Sequence, residues 1–370
     1  MKKIGTTVAV SAIAAAVVGL CPVGASAQSS QRLTANKANE YGLIYSLPNT
    51  MVDITVVTER TVSTPGEFAN YANRHLGIKD AVKQASETVT VKEVILNTRG
   101  VGNPDNRWLA QFKNGANVSM FLTDGEVPLG INIAEPAEPG RPELPKAVPA
   151  PVSPLETEAA RQAVTLDMTR STSLSKKAEL AAQRIFELRE QRNDLISGSS
   201  ENMPADGGAL KVALNALDAQ ENALTAMFAG TRLTQTDVQT FSFMPGDHEV
   251  ADTVVARVSP VDGVVDINDL TGIPLSVSIK EVAKGKLPVN EKGEEKKFPK
   301  GGVAYNIPGT AEISVSYNGR QIGSWTVELA QMGCTFGIEP GLFTDKKAPM
   351  SAVFSPVTGA LISLEPASGV

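Results

Sequence analysis

Polar and apolar residues alternate along Met51-Val52-Asp53-Ile54-Thr55-Val56, which places Val52, Ile54 and Val56 on one face. A period of two marks a half-buried strand, because successive side chains of an extended chain point to opposite sides. The same reading predicts strands over 88–96, 108–112, 118–122 and 127–133, and later over 252–258, 273–279, 311–317, 324–329 and 350–354. Between Gly66 and Ile78, the residues Phe68, Tyr71 and His75 fall three and four apart, so a short helix interrupts the first group. Thr123-Asp124-Gly125 separates two strands, and an Asp-Gly pair suits a hairpin turn that needs positive φ.

In the middle of the chain the period lengthens. Leu174, Ala178, Ala181, Ile185, Leu188 and Leu195 follow a helical stripe broken only by Arg192. Leu210, Leu214, Leu217, Leu224 and Phe228 follow another, broken only by Glu221. Each stripe stops at a glycine, Gly198 or Gly230, the residue best suited to a left-handed C-cap. The pair reads as an antiparallel helical hairpin. Folding it about Asn202-Met203 sets Glu221 opposite Arg184 rather than Arg192. A charge pair in such a seam fixes register more than it stabilises.

Two stretches carry neither period. Prolines stand at 136, 139, 142, 145, 149, 151 and 154, and four of them recur every third residue, the repeat of polyproline II. At about 3.1 Å per residue this segment could act as a semi-rigid spacer of up to ~60 Å, and it reads as a linker laid along the surface. Residues 284–300 mix both charge signs with glycine and proline but little apolar content, which predicts an exposed, mobile loop.

One phrase occurs twice. GLIYSLPNT at 42–50 returns as GVAYNIPGT at 302–310, and an alternating strand follows each copy. A tryptophan strand comes next, WLAQF at 108–112 and WTVEL at 325–329, then a hairpin phrase, SMFLTDGEVPLGI at 119–131 and SAVFSPVTGALISL at 351–364. Three landmarks of matching type in matching order indicate a duplicated β-module. Proline donates nothing to a sheet ladder, so Pro48 and Pro308 are expected to end their strands or to lie at an edge. Asn49 and Gly309 suit a following turn. Tyr45 and Tyr305 are expected to serve the structure rather than to stack on a ligand. The fold class expected is mainly β with an α-helical hairpin: two related antiparallel, sandwich-like modules flank the hairpin. The divisions are 1–27, 28–134, 135–155, 156–231 and 232–370.

Composition adds an address. Met1-Lys2-Lys3, an apolar run over 4–20 and the small-x-small Ala25-Ser26-Ala27 form a secretory leader over 1–27, leaving Gln28 as the first mature residue. Cys21 offers a lipoprotein alternative, but Leu20 before it is not the small residue that lipidation favours, so soluble export is preferred. No later run approaches the ~20 apolar residues of a membrane helix. Removing 1–27 takes the formal charge from −6 to about −8, which argues against nucleic acid or anionic lipid as the main partner. Only Cys334 remains, so no intramolecular disulfide forms.

Candidate chemistry is sparse. Asp266-Ile267-Asn268-Asp269 starts like a calcium loop, yet Leu270 and Thr271 fill the positions that need an oxygen ligand and a glycine; a turn between strands explains it better. Gly333-Cys334-Thr335-Phe336-Gly337 has the spacing of a nucleophile elbow but lacks the helix that must follow. His75 and His248 are the only histidines and show no ligand spacing. Asp252-Thr253-Val254 fits the Asp-Thr-apolar acceptor pattern of some bacterial O-glycosylation systems, a tripeptide that ordinary composition yields about once in a chain this long. No catalytic, cofactor or metal residue is assigned, and no cofactor is expected.

In their order, YSLPNT, the helix ends LISG (195–198) and MFAG (227–230), GVAYNIPGT and FSPVTGAL make the chain resemble a domain-of-unknown-function family of exported proteins from Bacteroidetes-type bacteria. The resemblance implies envelope localisation, periplasmic or at the outer membrane, and a β-rich body with a helical hairpin. It implies no activity. The expected function is a non-enzymatic binding or scaffold protein whose partner is another envelope protein or a glycan. An envelope hydrolase and a surface filament or adhesin subunit are the alternatives.

Overall fold

The structure is a computed structural model that describes residues 42–112, 118–136, 140, 142–345 and 347–367, so the leader and Cys21 lie outside it. The order is β1 (Leu43–Thr64), α1 (Ala72–Leu76), β2 (Ser86–Ala110), β3 (Met120–Leu122) and β4 (Pro128–Ile131). Four helices follow: α2 (Glu158–Ala163), α3 (Leu166–Arg170), α4 (Leu174–Ser197) and α5 (Gly207–Ala229). The remainder is β5 (Thr231–Phe243), β6 (Val250–Ser259), β7 (Gly263–Val265), β8 (Ile273–Ala283), β9 (Val303–Tyr317), β10 (Arg320–Ile338), β11 (Met350–Phe354) and β12 (Leu361–Pro366). The protein is mainly β, with antiparallel sheets and with α4 packed on α5.

Strands from both halves of the sequence share two of the three sheets. The orders are β2-β1-β5, β10-β9-β8-β6-β7 and β12-β11-β4-β3. Two sheets face each other across a core of Val52, Ile54 and Val56 from β1 with Leu275, Val277, Ile313 and Val315. The alternation in β1 thus does what it predicted. Each of its three apolar side chains is fully buried, worth about 1.5–3 kcal/mol apiece. A second core gathers Tyr45, Leu47 and Trp108 with Ile131, Val303, Phe343 and Phe354 beneath the four-stranded sheet. β1 and β9 are long because each runs through both cores, and each changes register between them.

The third core is helical. Ala178, Ala181, Ile185 and Leu188 of α4 meet Leu224 and Phe228 of α5, over Phe68 and Ala72 at the end of the β1–β2 ribbon. Gly66 permits this docking, since a Cβ there would sit 2.2 Å from the Met227 carbonyl oxygen. Gly198 takes the expected left-handed cap at φ 75, whereas Gly230 has φ 73 with an extended ψ and packs against Thr64 and Val82. Helices α2 and α3 begin at Thr157 and Thr165, whose hydroxyls accept from Ala160 N and Met168 N. The apolar stripe alone does not reveal them.

The hairpin register differs from the expectation. Glu221 meets Arg189 at 2.6 Å and Arg192 at 2.9 Å, while Arg184 pairs with Glu187 on its own helix. Arg189 and Arg192 stand five and eight residues beyond Arg184 along α4, so Glu221 meets α4 about one and a half to two turns from the place a symmetric fold about residues 202–203 gives it.

Other expectations are refined. The proline segment does lie on the body: Val148 exchanges backbone hydrogen bonds with Thr236 of β5, at 2.9 and 2.8 Å. Residues 284–300 are largely exposed, but Val289 bridges Glu295, and Phe298 stacks on Trp108 at 5.6 Å, so the loop is tied down. The 119–131 hairpin forms, with positive φ at Glu126 (62°) rather than at Asp124 or Gly125.

Candidate functional site

The two copies of the phrase lie in strands with similar surroundings. The first strand is paired through Ser46 and the second through Ile307, one phrase position farther on, before the partner strand makes a four-residue excursion. β2 leaves the ladder over 103–106, between Ser46↔Arg107 and Pro48↔Gly102. β10 leaves it over 330–333, between Ile307↔Cys334 and Gly309↔Leu329. On the other side, Ser46 N donates to Glu126 O and Asn306 N donates to Gly359 O, both at 2.9 Å, so each phrase is held by the turn of its own closing hairpin. Tyr45 lies opposite Trp108 and Tyr305 opposite Phe336. Phe336, not Trp325, is therefore the counterpart of Trp108; Trp325 faces Ile313 farther along.

Neither proline ends its strand. β5 joins β1 only from Val52, and β8 joins β9 only from Thr310, so each proline lies where its strand has no second ladder to supply. No turn follows Asn49 or Gly309; the strands run on.

The copies are also stitched to each other. The buried Tyr45 hydroxyl donates to Ala304 O at 3.2 Å and accepts from Ala304 N at 2.7 Å. Burial pushes its pKa far above the usual phenol range, more than this backbone bond lowers it. Thr50 N donates to Gln331 Oε1 at 3.1 Å, and Gln331 Nε2 returns a bond to Thr50 O at 2.7 Å, so the β10 excursion clasps β1.

One difference between the copies leaves a gap. In the second, Asn306 Nδ2 donates to Pro48 O at 3.1 Å and to Thr358 O at 2.9 Å, filling the space between phrase and turn. In the first, the equivalent residue is the shorter Ser46, and a notch of about 220 Å³ remains, lined by Ser46, Gly102, Pro104, Arg107, Gly125 and Glu126. Arg107 Nη2 holds both Glu126 oxygens, at 3.0 and 2.8 Å, and Ser46 Oγ donates to Oε2 at 3.4 Å. Glu126 sits at φ 62, a left-handed conformation that costs a residue with a Cβ roughly 1–2 kcal/mol. Backbone strain retained at a polar notch is a recurrent mark of functional sites. The notch is smaller than the ~300–1,000 Å³ of small-molecule pockets, so it suits a protruding polar group better than a whole ligand. A larger cleft of about 370 Å³ lies between the helices near Asp194, Leu195, Asn202 and Leu217.

The reactive groups visible in the sequence lie apart from this notch. Thr335 is in β10 and donates to Asn306 Oδ1 at 3.4 Å, with no elbow around it. Burial, and then Glu295, raises the Cys334 thiol above its ordinary pKa, away from the nucleophilic thiolate. His75 packs between Tyr71 and Phe228, each centroid 6.3 Å away, while His248 is exposed beside Asp247. Asp266 and Asp269 fold back onto Asn268 N and Thr271 N, making the turn between β7 and β8. Among the described residues no three His, Cys, Asp or Glu side chains converge to hold a metal. No described helix is long and apolar enough to cross a membrane. The pairing of Ser46, Arg107 and Glu126 had no signature in the sequence beyond the Ser/Asn difference between the two phrases.

No curated protein and no solved structure matches the chain. One family model does, a domain of unknown function (DUF4831), and its match over residues 41–362 takes in both phrases, both closing turns and the helical hairpin between them; the chain belongs to that family.

Proposed function

We propose that the protein is an exported, non-enzymatic binding or scaffold protein of the bacterial envelope, and that the Ser46 notch is where it holds another envelope protein or a glycan. The observation that carries this reading is the asymmetry of the duplication. The second copy plugs its notch with Asn306, whereas the first keeps a charged, strained and open one. The leader over 1–27 supports export. The reactive side chains support a non-catalytic role: Tyr45 and Glu221 are bonded in structural positions, and partial burial keeps the Cys334 thiol from the thiolate form.

Fractionation of cells expressing the full chain, with mass determination of its N-terminus, tests the address. Recovery in the envelope beginning at Gln28 is expected; a full-length cytoplasmic chain contradicts it. Incubation of the purified protein with peptidoglycan, peptides and polysaccharides tests the class. Turnover abolished by a single carboxylate substitution would move the protein to the hydrolases.

A further inference from the structure

We propose that Thr253 is an O-glycosylation site, an inference that rests on the envelope reading above. Three independent features meet at this residue. The first is the Asp252-Thr253-Val254 acceptor pattern. The second is geometry. β6 changes register on both sides of Thr253, between Val250 and Thr253 and again between Val254 and Ala256, so Thr253 and Val254, paired with Val277 and Ser276 of β8, stand between two irregularities of the strand. Asp252 takes φ 44, and its backbone is pinned by Ser278, whose hydroxyl accepts from Asp252 N at 3.0 Å and donates to the carboxylate at 3.2 Å. The aspartate is therefore presented in a fixed orientation one residue before the threonine.

The third feature is access. β7 pairs with β6 only over Arg257–Ser259, so among the described residues no strand covers the other edge of β6 alongside Thr253. Thr253 itself is exposed, and its hydroxyl makes no hydrogen bond among the described residues. An open edge lets an enzyme bind an acceptor as an added strand, through backbone hydrogen bonds, without unfolding the sheet. The hydroxyl is free to react, which a buried or bonded threonine would not be.

The donor required is a glycosyl diphosphate. The Thr253 oxygen forms a bond to the anomeric carbon as the bond from that carbon to the diphosphate oxygen breaks. The hydroxyl proton passes to a base of the transferase, and the diphosphate leaves with the electron pair. A glycan at this edge would also block strand addition by another chain, the standing hazard of an open edge.

The test is intact-mass and peptide mapping of the full chain recovered from the envelope of a bacterium whose other envelope proteins carry Asp-Thr-directed O-glycans. Expected is a mass increment built of glycosyl units on the peptide containing Thr253, complete loss of it in Thr253→Val and Asp252→Asn, and its retention in Thr253→Ser. Asn tolerates positive φ, so Asp252→Asn leaves the backbone intact while removing the acceptor carboxylate. An exported, processed chain at its unmodified mass, or a glycan elsewhere, overturns the proposal and leaves the envelope reading standing. A chain retained inside the cell with its leader overturns both, because the acceptor never meets the donor.

Discussion

Tyr45 and Tyr305 stand at matching places and do different work. Only Tyr45 is sealed in, bonded through its hydroxyl to both backbone groups of Ala304; Tyr305 is partly buried and packs edge-on against Phe336. Tyr45→Phe should therefore cost about 1–3 kcal/mol in urea unfolding, and Tyr305→Phe no more than about 0.5 kcal/mol. Alkali provides a second reading of the same bond. Burial raises the Tyr45 pKa, so the folded chain keeps a proton that the unfolded chain releases near pH 10. Its contribution is complete below pH 10 and is lost as pH climbs beyond, by at most about 1.4 kcal/mol per pH unit. Tyr45→Phe should flatten that decline relative to wild type. The tyrosine's structural role was legible from its place in a repeated strand phrase. Its partner was not, because a contact 259 residues away leaves no local pattern.

At the scale of elements, alternation and helical stripes located most of the strands and both long helices. What they missed has physical causes. Residues 97–107 and 330–338 belong to strands whose excursions break the period of two. The short helices α2 and α3 were announced only by Thr157 and Thr165 as N-caps. The hairpin register failed because the stripe fixes which face is apolar but not how far one helix slides along the other. Glu221 decides that. Its side chain is 13 % exposed between two arginines, so Glu221→Ala should cost about 1–3 kcal/mol by thermal or urea unfolding. Glu158→Ala, which breaks an exposed pair with Arg161 one turn along α2, should cost no more than about 0.5 kcal/mol.

At the scale of the whole molecule, the strands that carry the two phrases are interleaved rather than packed as two beads. β1 contributes to two cores completed by strands from the far half, β4 pairs with β11, and Gln331 clasps Thr50. A fragment of residues 28–134 should therefore lack a cooperative unfolding transition, and co-expression with residues 135–370 should restore one. Interleaving also makes the notch rigid, since its walls come from a strand, an excursion and a turn that are each anchored elsewhere. The sequence shows the repeat that creates two such places. Only the fold shows that Asn306 closes one and Ser46 leaves the other open. The most direct test is photo-crosslinking in living cells from a reactive residue placed at exposed Pro104, compared with one at Val212 on α5. The account predicts a discrete adduct with an envelope component from position 104, absent from position 212 and lost when Ser46→Asn imports the plug of the second copy. No adduct from position 104, or one that survives Ser46→Asn, would contradict it.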